Sequence, residues 1–181
     1  HKYGLYLFLD GARLGYGLAA PDNDLTLPDI AALCDVFYIG GTKVGALFGE
    51  AVVIKNPELA QDFRYLIKQN GGMLAKGRLL GLQFDALFTD GLYQEISAHA
   101  IAMAEKLREA FTAKGYNYLA PNRTNQIFVI VPDAHLEKIA EQFEYSYDQR
   151  IDATHSCVRF CTSWATKEEN VDALIRCVKK L

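Results

Sequence analysis

The chain opens with a continuous apolar run at residues 4–9 that ends on Asp10. A short run without polar residues is typical of a strand that is covered on both faces of a sheet. Strands and helices are then predicted to alternate up to about residue 90, and a long amphipathic stretch from Leu92 to Lys114 leads into a second group of strands and helices. The sequence therefore predicts an α/β fold with a domain boundary near Asp90-Gly91.

The other elements follow from apolar periodicity and from the residues that start and stop helices. In the first part we expect helices at Leu27–Leu33, from Pro57 to about Gln69 and at Leu74–Phe88, with strands at Val36–Ile39 and Ala51–Ile54. In the second part we expect a helix at Asp133–Phe143, strands at Asn125–Val131, Tyr145–Gln149 and Val158–Ser163, and a last helix that begins with a capping box of Thr166 and Glu169.

Composition excludes several classes of function. Half of the 181 residues are hydrophobic, 23% are charged and the net charge is −3 without a basic block, so we expect no nucleic-acid or membrane partner. No apolar run is long enough to span a membrane, and the start of the chain lacks a signal-peptide layout. The four cysteines and four histidines show no spacing of a metal site. We therefore expect a cytoplasmic protein with reduced thiols and no bound metal.

Asp10 and Lys43 each follow a predicted strand, and an aspartate and a lysine in these positions indicate a particular cofactor chemistry. Pyridoxal phosphate (PLP) needs a lysine amine for a Schiff base with its aldehyde, and a carboxylate that keeps its pyridine nitrogen protonated. Glycines at 40, 41 and 45 leave the backbone near Lys43 open to a planar ring. In the alternative, Lys43 is an exposed loop lysine and Asp10 caps a turn, with Arg13 as its surface ion-pair partner.

Three motifs resemble the L-threonine aldolase and β-eliminating lyase group of PLP enzymes. Asp10-Gly-Ala-Arg13 is similar to their strand-end motif, Gly40-Gly41-Thr42-Lys43 to the segment that carries the Schiff-base lysine, and Val158–Trp164 to a late strand whose arginine holds the substrate carboxylate. The resemblance runs over nearly the whole chain, but it matches only the second half of such an enzyme. The family's phosphate-binding turn and ring-stacking side chain have no counterpart here.

The resemblance implies a role for each matched residue. Lys43 and Asp10 would be catalytic and would also bind the cofactor. Arg13 would bind it beside the phenolic oxygen, and Thr42 beside the phosphate. Arg159 would bind the substrate carboxylate, although a structural Asp or Glu partner is the alternative. Residues 1–90 would be the C-terminal portion of a large PLP-binding domain of the aspartate-aminotransferase type, and residues 91–181 a small α/β domain.

The function implied by the resemblance is cleavage of a threonine-like β-hydroxy-α-amino acid to glycine and an aldehyde. Two alternatives stay open: another PLP reaction on an amino acid, such as β-elimination or transamination, and a non-catalytic α/β fragment without cofactor. The family further implies a homo-oligomer, a dimer or a tetramer, in the complete enzyme. We also expect that these 181 residues alone neither hold PLP tightly nor cleave threonine.

Overall fold

The computed structural model describes residues 2–181, and this part of the chain divides into two compact units. The first unit runs to Leu18 and continues from Asn23 to Ile96, and the second contains Ala19–Asp22 and Ser97–Leu181. The chain thus changes unit within a long helix, six residues after the boundary expected at Asp90-Gly91. The assignment of the two segments as large-domain and small-domain portions stays a prediction.

The first unit contains a three-stranded sheet and several short helices. Its elements are β1 (Phe8–Leu9), α1 (Leu14–Leu18), α2 (Leu27–Leu33), β2 (Val36–Gly40), β3 (Glu50–Ile54), α3 (Pro57–Ala60), α4 (Phe63–Gln69), α5 (Arg78–Phe88) and the start of α6 (Leu92–Ala113), which follows a 3-10 turn at Thr89–Gly91. The strand order is β1-β2-β3, with β1 and β2 parallel and β2 and β3 antiparallel. The carboxyl ends of β1 and β2 therefore lie at the same edge of the sheet.

The first strand is shorter than the sequence predicts. Only Phe8 and Leu9 pair with β2, and Leu5 is 67% exposed, so the prediction of a strand over residues 4–9 that is covered on both faces is wrong. At Leu7 the backbone N–H donates to the side chain of Asp35, 28 positions along the chain (2.8 Å), instead of to a strand carbonyl, while the Leu7 carbonyl still accepts from the Asp35 and Val36 N–H groups (3.0 and 3.3 Å). The exposed apolar side chains continue as far as Phe8.

The helices of the first unit differ from the prediction where glycine or an unusual backbone angle intervenes. Asp62 adopts a left-handed conformation (φ 57°), which divides the single helix expected from Pro57 to Gln69 into α3 and α4. α5 begins at Arg78 instead of Leu74 because turns occupy residues 75–77. α1 was not predicted, since it has five residues and two of them are glycines.

α2 has the bounds that the sequence predicts, and its start is well capped. The Thr26 hydroxyl accepts a hydrogen bond from the Asp29 N–H (3.4 Å), and the Asp29 carboxylate accepts one from the Thr26 N–H (2.8 Å). These reciprocal bonds form a capping box, which satisfies backbone donors that have no partner within the helix. The Thr26 hydroxyl also donates to Asp29 and is the main cause of that carboxyl's lowered pKa.

The second unit is a four-stranded antiparallel sheet packed on helices. It contains the rest of α6, β4 (Asn117–Tyr118), β5 (Gln126–Pro132), α7 (Asp133–Ala140), β6 (Ser146–Arg150), β7 (His155–Cys161) and α8 (Glu168–Lys180), in the strand order β4-β5-β7-β6. Alternate residues of β5 and β7 face a core shared with α6 and α8; this core includes Leu107, Phe111, Ile127, Val129, Val131, Val158, Phe160, Val171, Leu174 and Val178. Arg159 follows a core residue in β7 and therefore lies on the other face.

The predicted cap of the last helix is wrong. Lys167 occupies the N-cap position without a side-chain cap, and the helix begins at Glu168. Thr166 instead accepts a hydrogen bond from the Ser163 N–H (2.8 Å) and donates its own N–H to the Ser163 carbonyl (3.0 Å). Its hydroxyl is thus used in the preceding turn.

Gly115 (φ 86°) follows the end of α6, and a glycine with a positive φ is typical of a helix C-terminus.

Within residues 2–181, no helix combines the length and the apolar character that crossing a membrane requires. In the same part of the chain, no three or more His, Cys, Asp or Glu side chains cluster in a way that could hold a metal ion.

We predict that Thr26→Ala lowers the free energy of unfolding of the full-length protein by about 1 kcal/mol, because it removes the N-cap of α2. The measurement is urea denaturation followed by circular dichroism. Thr26→Ser keeps the hydroxyl and should retain most of the stability. Equal midpoints and slopes for the alanine variant and the wild type would contradict the importance of this cap.

Candidate active site

The carboxyl ends of the parallel strands β1 and β2 bring two of the predicted site residues together. Asp10 is the first residue after β1, and Lys43 lies in the turn after β2. The Gly40 N–H donates to the Gly11 carbonyl (2.9 Å), so the two loops are joined by a direct backbone hydrogen bond. In α/β sheets this edge is where ligands generally bind.

Asp10 is exposed, and several groups hold its carboxylate in the ionised form. The Tyr38 hydroxyl donates to Oδ1 of Asp10, and the Ala12 N–H donates to the same oxygen (3.1 Å). The Tyr38 hydrogen bond is the largest cause of the lowered Asp10 pKa, followed by the Ala12 N–H, and the positive charge of Lys43 acts in the same direction. The site therefore presents a stable anion within the electrostatic reach of the Lys43 amine.

The turn that carries Lys43 is held through its backbone while the side chain is exposed. The Tyr16 hydroxyl donates to the Lys43 carbonyl, and the N–H groups of Val44 and Ala46 both donate to the Gly41 carbonyl (2.9 and 3.0 Å). In the described part of the chain, no hydrogen bond or ion pair engages the Lys43 amine. A rigid backbone with an uncommitted amine suits covalent attachment of a carbonyl compound.

The glycines beside Lys43 lie in close contact with neighbouring segments, and their openness to a planar ring stays a prediction. A Cβ atom on Gly40 would lie 2.4 Å from the Ala12 carbonyl oxygen, and one on Gly11 would lie 1.6 Å from the Tyr38 carbonyl oxygen. A Cβ atom on Gly41 would lie 2.6 Å from Phe84. These glycines allow the two strand-end loops and a helix to approach each other closely, so their immediate function is packing within the protein.

Arg13 and Thr42 lie on the two loops that carry Asp10 and Lys43. Arg13 is partly buried, and its Nε is a buried donor without a hydrogen-bond partner. Among residues 2–181 it makes no ion pair with Asp10, so the expected alternative of a simple surface pair is wrong. The exposed Thr42 donates only a long hydrogen bond to the Gly49 carbonyl (3.4 Å). A buried guanidinium donor without an acceptor, on the segment that follows the ionised Asp10, fits a ligand that carries anionic oxygens.

Arg159 belongs to the second unit, where neutral groups hold its guanidinium. Nη1 donates to Gln126 Oε1 (3.2 Å) and Nη2 to Ser146 Oγ (3.4 Å), while the buried Nε has no partner. No carboxylate in the described part of the chain forms an ion pair with it, so the alternative of a structural Asp or Glu partner is wrong. Arg159 also lines a cavity of about 350 Å³ together with Tyr145 and Thr162.

The tyrosines that organise the first-unit site, Tyr16, Tyr38 and Tyr93, lie outside the three sequence motifs. Leu9 pairs with Phe37 in the parallel ladder, so the next positions, Asp10 and Tyr38, come side by side; the strand register that brings them together is not visible in the sequence. Tyr16 lies in the short α1 that was not predicted. No sequence pattern pointed to Tyr93, which is 1% exposed near the start of α6.

Comparison with known proteins relates the chain to threonine aldolases. It is 32% identical over 177 residues to a low specificity L-threonine aldolase of Pseudomonas sp. (strain NCIMB 10558). The matched region covers 96% of this chain and 49% of that protein. A solved structure of Leishmania major threonine aldolase has a TM-score of 0.96 and 43% identity, covering 99% of this chain and 52% of the other. The chain thus spans about half the length of these relatives.

More distant structures show the fold alone. An aspartate aminotransferase of Thermus thermophilus has a TM-score of 0.64 at 18% identity and covers 99% of this chain. No protein-family model matches the chain. The predicted resemblance to the threonine aldolases and the predicted α/β fold of the aspartate-aminotransferase type are therefore confirmed.

We predict that Tyr38→Phe raises the Asp10 pKa towards its ordinary value, because the variant loses the strongest of the hydrogen bonds that favour the charged form. The pKa can be followed by carbon-13 NMR of the carboxyl group as the pH is lowered. Asp29 serves as an internal control, since its pKa is lowered mainly by Thr26 and should not move. An unchanged Asp10 titration would show that Tyr38 does not hold this carboxylate.

Proposed function

We propose that the protein is a PLP-dependent aldolase that cleaves a threonine-like β-hydroxy-α-amino acid to glycine and an aldehyde. The observation that carries this proposal is the meeting of the ionised Asp10 and the uncommitted Lys43 amine at the ends of two parallel strands. The similarity to a low specificity L-threonine aldolase and to Leishmania major threonine aldolase supports aldol cleavage over transamination or β-elimination.

The residues of the first unit would hold the cofactor. When bound, PLP supplies an electron-accepting ring that stabilises the negative charge left at Cα as a substrate bond breaks. Lys43 would attach the cofactor covalently through its amine and would be displaced by the substrate amine. Asp10 would accept a hydrogen bond from a protonated ring nitrogen, because Tyr38 and Ala12 keep its carboxylate ionised. Arg13 and Thr42 would donate to the phenolic oxygen and the phosphate, respectively.

Arg159 would bind the substrate carboxylate. A planar guanidinium can donate two parallel hydrogen bonds to a carboxylate, which fixes the orientation of an amino acid as well as binding it. Gln126 and Ser146 hold this guanidinium without neutralising its charge. A partly buried cation without an acidic partner is costly for the protein alone, and this supports a role in binding an anion.

We also propose that the protein acts as a homo-oligomer, a dimer or a tetramer, in the cytoplasm. Large apolar side chains on α4 and α5 support self-association, since Tyr65 is 73% and Leu79 56% exposed. All four cysteines are free thiols, which agrees with a reducing compartment.

We predict that the complete enzyme, and not the 181 residues alone, absorbs in the visible range after reconstitution with PLP and releases aldehyde from threonine. Lys43→Ala should lose both properties, because it removes the amine that would attach PLP. Lys179→Ala, a change of an exposed lysine on α8, is the matched control and should keep both. Colour and turnover retained by Lys43→Ala would exclude Lys43 as the attachment point.

We predict that Arg159→Lys keeps the visible absorption band and lowers kcat/KM for threonine by about 10- to 100-fold, as expected when a hydrogen bond to a charged group is lost. Steady-state kinetics over a range of threonine concentrations measures this effect. Arg150→Lys, on the neighbouring strand, is the control because Arg150 already has a partner in Asp133. If kcat/KM is the same in Arg159→Lys and wild type, Arg159 does not bind substrate.

A further inference from the structure

Tyr93 connects the two segments that carry the cofactor residues. It is 1% exposed, near the start of α6, and its ring packs edge-on against Phe88 with 5.6 Å between the ring centroids. Its hydroxyl accepts a hydrogen bond from the Gly15 N–H (3.1 Å) and donates one to the Gly40 carbonyl (2.9 Å). A single oxygen atom thus joins two backbone segments that are distant in the sequence.

Both partners of the Tyr93 hydroxyl are backbone groups at the ends of regular elements. Gly15 lies in the first turn of α1, where an N–H has no acceptor within the helix. Gly40 is the last residue of β2. The first of these segments begins with Asp10 and Arg13, and the second leads directly to Lys43. Since both glycines are buried, loss of the hydroxyl would leave a donor and an acceptor without partners.

The hydroxyl keeps its proton over the whole range in which such an enzyme works. Burial raises the Tyr93 pKa to about 12, and this effect outweighs the Gly15 N–H, which lowers it. At neutral pH the hydroxyl therefore donates to Gly40 and accepts from Gly15 at the same time. Ionisation of the Tyr93 hydroxyl therefore does not break its hydrogen bond to Gly40 near neutral pH.

We propose that Tyr93 is a positioning residue, which sets the distance between the Asp10–Arg13 segment and Lys43 through its two backbone hydrogen bonds. This inference rests on the proposed function. Tyr93 acts on the backbone of both segments and not on the substrate, so its removal should affect the chemical step more than substrate binding. Small displacements of reacting groups reduce rates by about 10- to 100-fold.

The test is Tyr93→Phe in the full-length protein, which removes one oxygen atom and keeps the ring. The matched control is Tyr118→Phe, because the Tyr118 hydroxyl also donates to a backbone carbonyl, that of Arg108 (2.7 Å), but within the second unit. Three quantities are compared: amide hydrogen exchange at Gly15, the pH titration of the visible absorption of bound PLP, and kcat and KM for threonine.

For Tyr93→Phe we expect at least tenfold faster exchange at Gly15, a shifted absorption titration and a kcat reduced about tenfold with a KM within about twofold of wild type. Tyr118→Phe should leave all three unchanged. A coloured Tyr93→Phe protein with the wild-type titration and kcat overturns the inference alone. A wild-type protein without visible absorption overturns the proposed function, and with it this inference.

A second variant covers the case in which Tyr93→Phe does not fold. A fluorinated tyrosine at position 93 keeps the ring and the oxygen but has a more acidic hydroxyl, so it stops donating to Gly40 when the pH rises past its lowered pKa. We expect kcat to fall at that pH in the fluorinated protein and not in the wild type. Identical pH profiles of kcat across the pH range in which the fluorinated hydroxyl ionises, followed by its ultraviolet absorption, would overturn the positioning role.

Discussion

The parallel pairing of β1 and β2 is the constraint on which the first-unit site depends. Two parallel strands end at the same edge of a sheet, so the residues that follow them, Asp10 and the Lys43 turn, meet there. The hydrogen bond from Gly40 to Gly11 joins the two loops, and the absence of side chains at both positions permits it. A single added methyl group at either glycine would collide with backbone and separate the loops.

Electrostatics distinguishes the candidate residues from ordinary surface charges. Asp10 has hydrogen-bond donors that keep it ionised, whereas the Lys43 amine has no ion-pair partner in the described part of the chain. Arg13 and Arg159 both carry a buried Nε without an acceptor. Buried guanidinium N–H groups normally have a hydrogen-bond acceptor. The two Nε groups without one lie at predicted binding positions, which supports the proposal that anionic ligands accept their hydrogen bonds.

The sequence was most informative where one local rule decides the structure. The predicted bounds of α2 are confirmed, and its start is fixed by neighbouring residues alone, the capping box of Thr26 and Asp29. Thr166 has the same apparent signal, but a turn with Ser163 uses its hydroxyl instead. The hydrogen bond from Leu7, next to β1, to the Asp35 carboxylate is one that no periodicity indicates.

The site residues show the same division between local and long-range information. Asp10, Arg13, Thr42 and Lys43 lie in short motifs at strand ends, and Arg159 lies within β7; their assigned roles remain proposals. No sequence pattern marks Tyr93, because its proposed positioning role depends on hydrogen bonds with Gly15 and Gly40, which are far from it in the sequence. Contacts of this kind depend on how a helix packs against strand ends, and a single sequence does not show them.

Reductive trapping tests the central claim most directly. The full-length protein is incubated with PLP at a stoichiometric concentration, reduced with borohydride, digested and mapped by mass spectrometry. Because Lys43 is the amine beside the ionised Asp10, we predict that the pyridoxyl group is found on the peptide that contains Lys43 and on no other. A label spread over exposed lysines, or concentrated on a lysine other than Lys43, would contradict the claim that these two strand ends form a PLP site.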